Sequence, residues 1–390
     1  MWSASRMFWY FLAYLSPVVA WLMVMLLVVR PARLRCRTQV ALGVLLAALV
    51  AKRLWFWMFG GHPVYPDLPE FVCHLCGWGY IFVMLLAALA ILPPYRRWRV
   101  RAVAFTCVAV FLATWGTVES LRLPAVNQHE IIVEDLPPAF DGMRIAHVSD
   151  IHCSPSTRLS YVRGVVDRVN ALKPDLVCLT GDFVDGTPAM RAADLEPLAD
   201  LRAKWGVLGC SGNHEFYSGY HRWRPIFQRL GIHMLDNACV VITNGEDRLA
   251  VGGVVDPVGA KKFMDGKKGK ALKDARGFPR RRWPKPNVQA AFADAPPSAC
   301  RILLAHRPTD LPKHAAAGVK LQLSGHTHGG VLWPSYPLVS LLNDRHVNGL
   351  YREDGIVLYV TAGAGQWIGF PVRLGIPTEI ALLTLRAPKR

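Results

Sequence analysis

LQLSGHTHGG, residues 321–330, is an apolar, strand-like run that ends in two histidines one residue apart, with one glycine before them and two after. Alone, such an ending is most simply a polar turn. Its meaning depends on whether other strands of the chain finish in side chains that bind metals, and four more do. MRIAHVSDIH ends in Asp150 and His152, DLVCLTGDFVD carries Asp182 and Asp185, WGVLGCSGNHEFY carries Asn213, His214 and Glu215, and CRILLAHRPTD carries His306. Between them lie stretches with helical spacing, such as TRLSYVRGVVDRVNALKPD, which sets Val162, Val165, Val166, Val169 and Leu172 on one face before Lys-Pro closes it.

Short β-branched runs that alternate with helical stretches predict an α/β domain. In such sheets the crevice outside the carboxyl ends of the strands receives the ligand. Asp150, His152, Asp182, Asn213, His306, His326 and His328 should therefore converge there, with His214 beside them. Turn chemistry accounts for each residue singly but not for the ordered set DxH, GDxxD, GNHE, H and GHTH. Of nine cysteines, Cys73 and Cys76 fall in an apolar membrane segment, and Cys153, Cys178, Cys210, Cys239 and Cys300 lie in the α/β domain at no zinc-like spacing, so the cysteines do not compete for this role.

Composition adds a second region. Of 390 residues 52% are hydrophobic, and the formal charge is +17, more apolar than an ordinary soluble protein. The uncharged run MFWYFLAYLSPVVAWLMVMLLVV, Met7 to Val29, is longer than the roughly 20 residues a helix needs to cross a bilayer core. It also lacks the small-residue cleavage site of a secretory signal. Further apolar runs at about Val40–Phe59, Phe71–Leu92 and Val103–Val118 bring the expectation to about four transmembrane helices within residues 1–123, followed by a catalytic domain at 124–390.

Arginine-rich short loops stay in the cytoplasm. Arg30, Arg33, Arg35 and Arg37 crowd one connection and Arg96, Arg97, Arg99 and Arg101 another, whereas HPVYPDLPE between them is acidic. This predicts a multi-pass protein of the plasma (inner) membrane with its catalytic domain on the extracytoplasmic face. Lys52 and Arg53 strain that expectation, since a charge near the bilayer centre costs about 2.5–3.5 kcal/mol on insertion scales.

The polar strand ends, together with the opening DLPPAFDGMRIAHVSDIH and the ending LYVTAGAGQWIGFPVRLGIPTEIALLTL, resemble the calcineurin-like metallophosphoesterase superfamily and, within it, the YkuE/YaeI-type bacterial branch. The resemblance covers most of residues 130–386 and leaves out the membrane region. It implies a β-sandwich flanked by helices that holds two divalent metal ions. Asp150, His152 and His328 match ligands of the first, and Asn213, His306 and His326 those of the second. Asp182 matches the bridging carboxylate, and His214 the histidine that assists the leaving group or the phosphoryl oxygens. Asp185 and Glu215 match groups behind the ligands or toward the substrate. Where that branch usually has Gln after the two glycines this chain has Val331, which bears on substrate choice and touches no ligand.

Ligand chemistry gives an independent reason for these residue types. Imidazole with carboxylate suits Mn²⁺, Fe or Zn²⁺, and two ions about 3.5–4 Å apart can activate a water and clamp both the attacking and leaving oxygens at phosphorus. The expected function is a membrane-anchored, dinuclear metal-dependent phosphoesterase that hydrolyses a phosphodiester or pyrophosphate bond of an envelope or lipid-linked substrate. The alternative is a catalytically silent membrane scaffold that uses the same fold for protein binding. Oligomeric state is left open by the sequence.

Two segments lie outside this pattern. A basic insertion near 257–287 holds a dense run of Lys and Arg, read either as a solvated loop or as a contact for anionic lipid or a polyanionic substrate. It comes with no nucleic-acid recognition module, so no nucleic-acid partner is expected. Trp333, Tyr336, Leu338, Leu341 and Leu342 read most simply as core, with an apolar lip beside the metals as the other reading.

Overall fold

The computed structural model describes residues 16–58, 67–92, 98–261, 283–332, 335–367 and 371–388. The chain divides into two compact units, residues 1–122 with 368–375, and residues 123–367 with 376–390.

The first unit is helical among the described residues. Glu70–Ala90 and Arg99–Leu121 are long and apolar enough to cross a membrane, Ser16–Ala32 is a shorter apolar helix, and Cys36–Met58 is a helix of 23 residues whose apolar stretch is Cys36–Ala51. Two of the four expected spans therefore meet both the length and the apolar composition that a bilayer requires. The first expected span begins on residues outside the described ones, and so do the side chains of Lys52 and Arg53. Large apolar side chains point outward from these helices, Phe71 being 72% exposed and Val44, Val103 and Phe111 similarly bare. A contiguous apolar exterior is what a lipid-facing surface needs and a water-facing one avoids. Small residues allow close helix packing: a Cβ on Gly79 would stand 2.8 Å from Leu49 Cβ. Residues 371–375 join this unit, where the Arg373 N–H donates to the Gly116 carbonyl at 2.9 Å.

The second unit is a sandwich of two six-stranded sheets. One has the order β1-β12-β2-β3-β4-β5 and the other β10-β11-β9-β8-β7-β6. The first sheet comprises β1 (Ala125–Ile132), β2 (Arg144–Val148), β3 (Leu176–Leu179), β4 (Val207–Gly209), β5 (Ile232–Met234) and β12 (Glu379–Arg386). The second comprises β6 (Ala238–Asn244), β7 (Asp247–Gly253), β8 (Cys300–Leu304), β9 (Val319–Ser324), β10 (Gly349–Glu353) and β11 (Ile356–Val360). β2 through β5 run parallel, as do β7, β8 and β9.

Strands buried on both faces read as continuous apolar runs rather than alternating ones, and β3, LVCL, is buried at every position. Its side chains still alternate. Leu176 and Cys178 enter the layer between the sheets with Ile145, Leu208, Ile302, Leu304 and Leu323, while Val177 and Leu179 face the helix Leu159–Ala171 through Val162, Val165, Val166 and Val169. On the outer face of the second sheet, Ala250, Leu303 and Leu358 pack with Val288, Phe292 and Leu311. Both sheets are thus held rigid at the ends where their parallel strands finish.

One expectation for this unit is corrected. Tyr336, Leu338, Leu341 and Leu342 are not core, because no residue of the helix Tyr336–Leu342 is buried and Leu341 is 76% exposed.

Candidate metal centre

Asp150 and His152 follow β2, Asp182 follows β3, and Asn213 and His214 open the short helix after β4. His306 follows β8, and His326 and His328 follow β9. The site is therefore assembled by both sheets of the sandwich, whereas a single open sheet would have supplied only part of the set. All of these side chains are buried except His326, which is half-buried.

The backbone turns sharply at five of them. Asp150, His152, Asp182, His326 and His328 have φ of 54, 46, 53, 72 and 49°. Left-handed conformations of residues other than Gly are uncommon and cost on the order of 1–3 kcal/mol each, and they cluster at functional sites. Here they aim side chains off the strand ends toward one point. Gly325 permits the closest approach: a Cβ there would run into Ser149 Oγ and Asp150 Oδ2. Across this gap the His326 N–H donates to Asp150 Oδ2 at 3.0 Å.

Hydrogen bonds fix which nitrogen of each imidazole faces the centre. His152 Nδ1 lies 2.9 Å from Asp185 Oδ2. Burial opposes ionisation of Asp185, but His214 and His152 outweigh it and hold the carboxyl below its usual range. An ionised carboxylate only accepts, so His152 donates from Nδ1 and presents Nε2. That atom stands 3.0 Å from His328 Nε2, 3.8 Å from Asp150 Oδ1 and 3.7 Å from Asp182 Oδ2. His328 Nε2 is 3.5 Å from Asp150 Oδ1.

The second cluster obeys the same logic. His306 Nδ1 donates to the Thr180 carbonyl at 2.7 Å, which leaves Nε2 aimed at Asp182 Oδ2, 3.2 Å away, and at His326 Nδ1, also 3.2 Å away. Polar atoms packed this closely out of water need a proton or a cation shared between them. Burial disfavours a charged His306, yet Asp182 overcomes it and raises the pKa to about 10. Bonds of about 2.1 Å to a first-row ion set neighbouring ligand atoms roughly 3.0–3.4 Å apart, close to these spacings. The donor set fits two such ions, with Asp182 between them.

Asp182 is itself anchored, since its Oδ1 accepts the His214 N–H at 2.8 Å while Oδ2 faces both clusters. His152, Asp185 and His214 form a third group within metal-ligand reach. The two oxygens of Asp185 there serve two imidazoles, His152 through Oδ2 and His214 Nδ1 at 2.5 Å from Oδ1, so this carboxylate orients both rings. Glu215 is fully buried. It accepts N–H bonds from Asp182 at 2.9 Å and from Phe183 and Gly212 at 2.7 Å, tying the turns after β3 and β4 together.

Asn213, another expected ligand, accepts through Oδ1 from Arg307 Nη2 at 3.2 Å. Arg307 and its partner Asp256 were not legible as site residues, although an arginine directly after a ligand-type histidine is a signal that could have been read. Cys153 is buried, and burial pushes its thiol well up, as suits an inert filler.

A family model described as calcineurin-like phosphoesterase matches residues 143–330. A metallophosphoesterase of Aquifex aeolicus is 30% identical over 286 residues, covering 72% of this chain and 98% of that protein. The Bacillus subtilis metallophosphoesterase YkuE is 28% identical over 268 residues, covering 67% and 85%. A Danio rerio protein named transmembrane protein with metallophosphoesterase domain is 31% identical over 291 residues, covering 72% of this chain and 61% of that protein, so the chain spans about three-fifths of that relative. With the ligand-bearing turns of two sheets converging on one point, and a match over nearly the whole of the Aquifex protein, the chain belongs to the calcineurin-like metallophosphoesterases.

Proposed function

We propose that the chain is a dinuclear metal-dependent phosphoester hydrolase. Asp150, His152 and His328 would hold one ion and Asn213, His306 and His326 the other, with Asp182 placed to serve both. The observation that carries this is the position of Asp182 Oδ2, 3.7 Å from His152 Nε2 and 3.2 Å from His306 Nε2, within reach of both clusters. When bound, two such ions supply Lewis acidity, an activated water and a clamp on the phosphoryl oxygens.

The chain's own groups do the rest. Asp185 fixes His214 by its Nδ1, so the opposite nitrogen is left for a substrate oxygen. Burial opposes the charged ring, but Asp185 and then Asp182 outweigh it and lift His214 to about 9. A protonated imidazole at neutral pH is the form that can donate to a departing oxygen. Tyr217 and Trp367 stand beside the ring, at 5.2 and 6.5 Å between centroids, and wall that side of the site.

A lipid-linked phosphodiester or pyrophosphate is the substrate class we favour, handled by a multi-pass protein whose catalytic part faces away from the cytoplasm. Its support is threefold: the apolar helices of the first unit, the arginine asymmetry of their connections, and the exposed helix Tyr336–Leu342 that follows the His326–His328 turn. The metals are Mn²⁺, Fe or Zn²⁺ by ligand type. The test compares a soluble chromogenic diester and its monoester with a polyprenyl-linked pyrophosphate in vesicles, using the purified full chain. Turnover of the vesicle substrate ahead of the soluble diester is expected, and equal or slower turnover would remove the lipid assignment.

A further inference from the structure

Arg307 follows the proposed ligand His306, and its guanidinium lies against two more proposed ligands. Nη1 is 3.0 Å from His326 Nε2, and Nη2 is 3.2 Å from Asn213 Oδ1. The group is held from behind by Asp256, with Nε to Oδ2 at 2.7 Å and Nη2 to Oδ1 at 3.5 Å. Asp256 is buried and is pinned in turn by the Val258 N–H at 2.8 Å from Oδ1, while the Arg307 side chain keeps 27% of its surface exposed. The result is a fixed, partly exposed cation beside the second cluster.

Tautomer chemistry makes the contact to His326 informative. Arginine only donates, so the contact to His326 requires a bare Nε2 and hence a proton on Nδ1. Nδ1 is the atom aimed at His306 Nε2, where the second ion would be held. Ligation through Nδ1 moves the ring proton to Nε2, and Arg307 Nη1 then loses its acceptor. A guanidinium beside divalent ions, with one carboxylate behind it and a donor released, needs an anion in front of it. Its planar fork matches two oxygens of a tetrahedral phosphate better than an ammonium does.

We propose that Arg307, positioned by Asp256, forms an anion subsite beside the second cluster that takes a non-bridging phosphoryl oxygen of the substrate and of released phosphate. The proposal rests on the dinuclear reading above. It assigns Arg307 to phosphate binding and Asp256 to positioning, so removal of either should spare the ions and weaken the anion.

The experiment titrates inorganic phosphate into the Mn²⁺-loaded full chain by calorimetry, with metal content and thermal unfolding measured on the same samples. Arg307→Ala should keep two ions per chain and lose about 10- to 100-fold in phosphate affinity, the usual effect of one charge-assisted hydrogen bond. Arg307→Lys should recover only part of the loss, and Asp256→Asn should weaken phosphate several-fold with both ions retained. On the diester, Arg307→Ala should raise KM as well, which ties the subsite to the substrate and not to released phosphate alone. The subsite is overturned if wild type binds no phosphate, or if Arg307→Ala binds it within twofold of wild type. Should Arg307→Ala fail to fold, Arg307→Lys with wild-type phosphate affinity overturns it equally. Arg307-dependent phosphate binding without hydrolysis would sink the hydrolase reading alone, and metal-dependent hydrolysis with phosphate binding indifferent to Arg307 would sink the subsite alone.

Discussion

Asp185 Oδ2 accepts the Nδ1 proton of His152 across 2.9 Å, and the same carboxylate accepts from His214 through its other oxygen. One buried acid therefore sets the tautomer of a proposed ligand and the orientation of the proposed proton donor. In Asp185→Asn one oxygen becomes an NH₂ group, so one imidazole must turn or change tautomer. Partners behind metal-bound histidines are typically worth 10- to 100-fold in metal affinity. A loss of that size at one of the two sites is expected, measured by competition with a chromogenic chelator, and unchanged affinity would contradict the role.

His214 is proposed to act on the substrate without binding metal. His214→Gln should keep two ions per chain and lower kcat by about 10²- to 10⁴-fold, the usual range for a positioned acid. Metal analysis beside steady-state kinetics separates this from the ligand variants. Loss of an ion in His214→Gln would place the residue in the metal shell instead.

Gly325 lets the turn after β9 press against the turn after β2. A methyl group there meets Ser149 Oγ and Asp150 Oδ2. Gly325→Ala should push Asp150 off the first cluster and reduce metal content toward one ion. Gly206, whose Cβ direction is open but whose φ of 82° strains any side chain, gives the comparison: Gly206→Ala should lower stability and leave metal content at two.

The legible part of this molecule was its chemistry. Asp150, Asp182, His214 and His326 sit where short apolar strands end, and strand ends are marked by local composition. Pairing partners are not. β1 runs parallel to β12, Ala125 beside Glu379, and β12 antiparallel to β2, Ala381 beside His147. Nothing in periodicity reports a register across some 250 residues, so the sandwich was expected from the family resemblance and not from the strand pattern, and the division of the candidate ligands between its two sheets is seen only in the structure. Arg307 was passed over because its neighbour His306 already explained why a polar group should stand there. Leu341 and Leu342 were expected in the core because apolar identity alone does not say which side of a turn is covered.

His147 carries a consequence for acid stability. It lies inside the sandwich with Nε2 2.8 Å from Thr180 Oγ1, and Nδ1 has no partner among the described residues. Burial drives its pKa from 6.5 down to about 3. Between those values the unfolded chain binds a proton that the folded chain refuses, so stability is full above pH 6.5 and falls as pH drops toward 3. The slope from one such group is at most about 1.4 kcal/mol per pH unit. His147→Gln should flatten the fall in unfolding temperature between pH 6.5 and 4, read on the full chain in detergent. Parallel curves for variant and wild type would assign the acid sensitivity elsewhere.

Asp182 is the residue on which the dinuclear centre turns. The most direct measurement is metal content by mass spectrometry together with hydrolysis of a chromogenic phosphodiester, for wild type and Asp182→Asn purified side by side as full chains. Two ions per wild-type chain with metal-dependent hydrolysis are expected, and in Asp182→Asn no more than one ion and hydrolysis reduced by at least about 10³-fold. A wild-type chain that takes up no metal, or an Asp182→Asn chain that keeps both ions and its activity, would contradict the dinuclear centre.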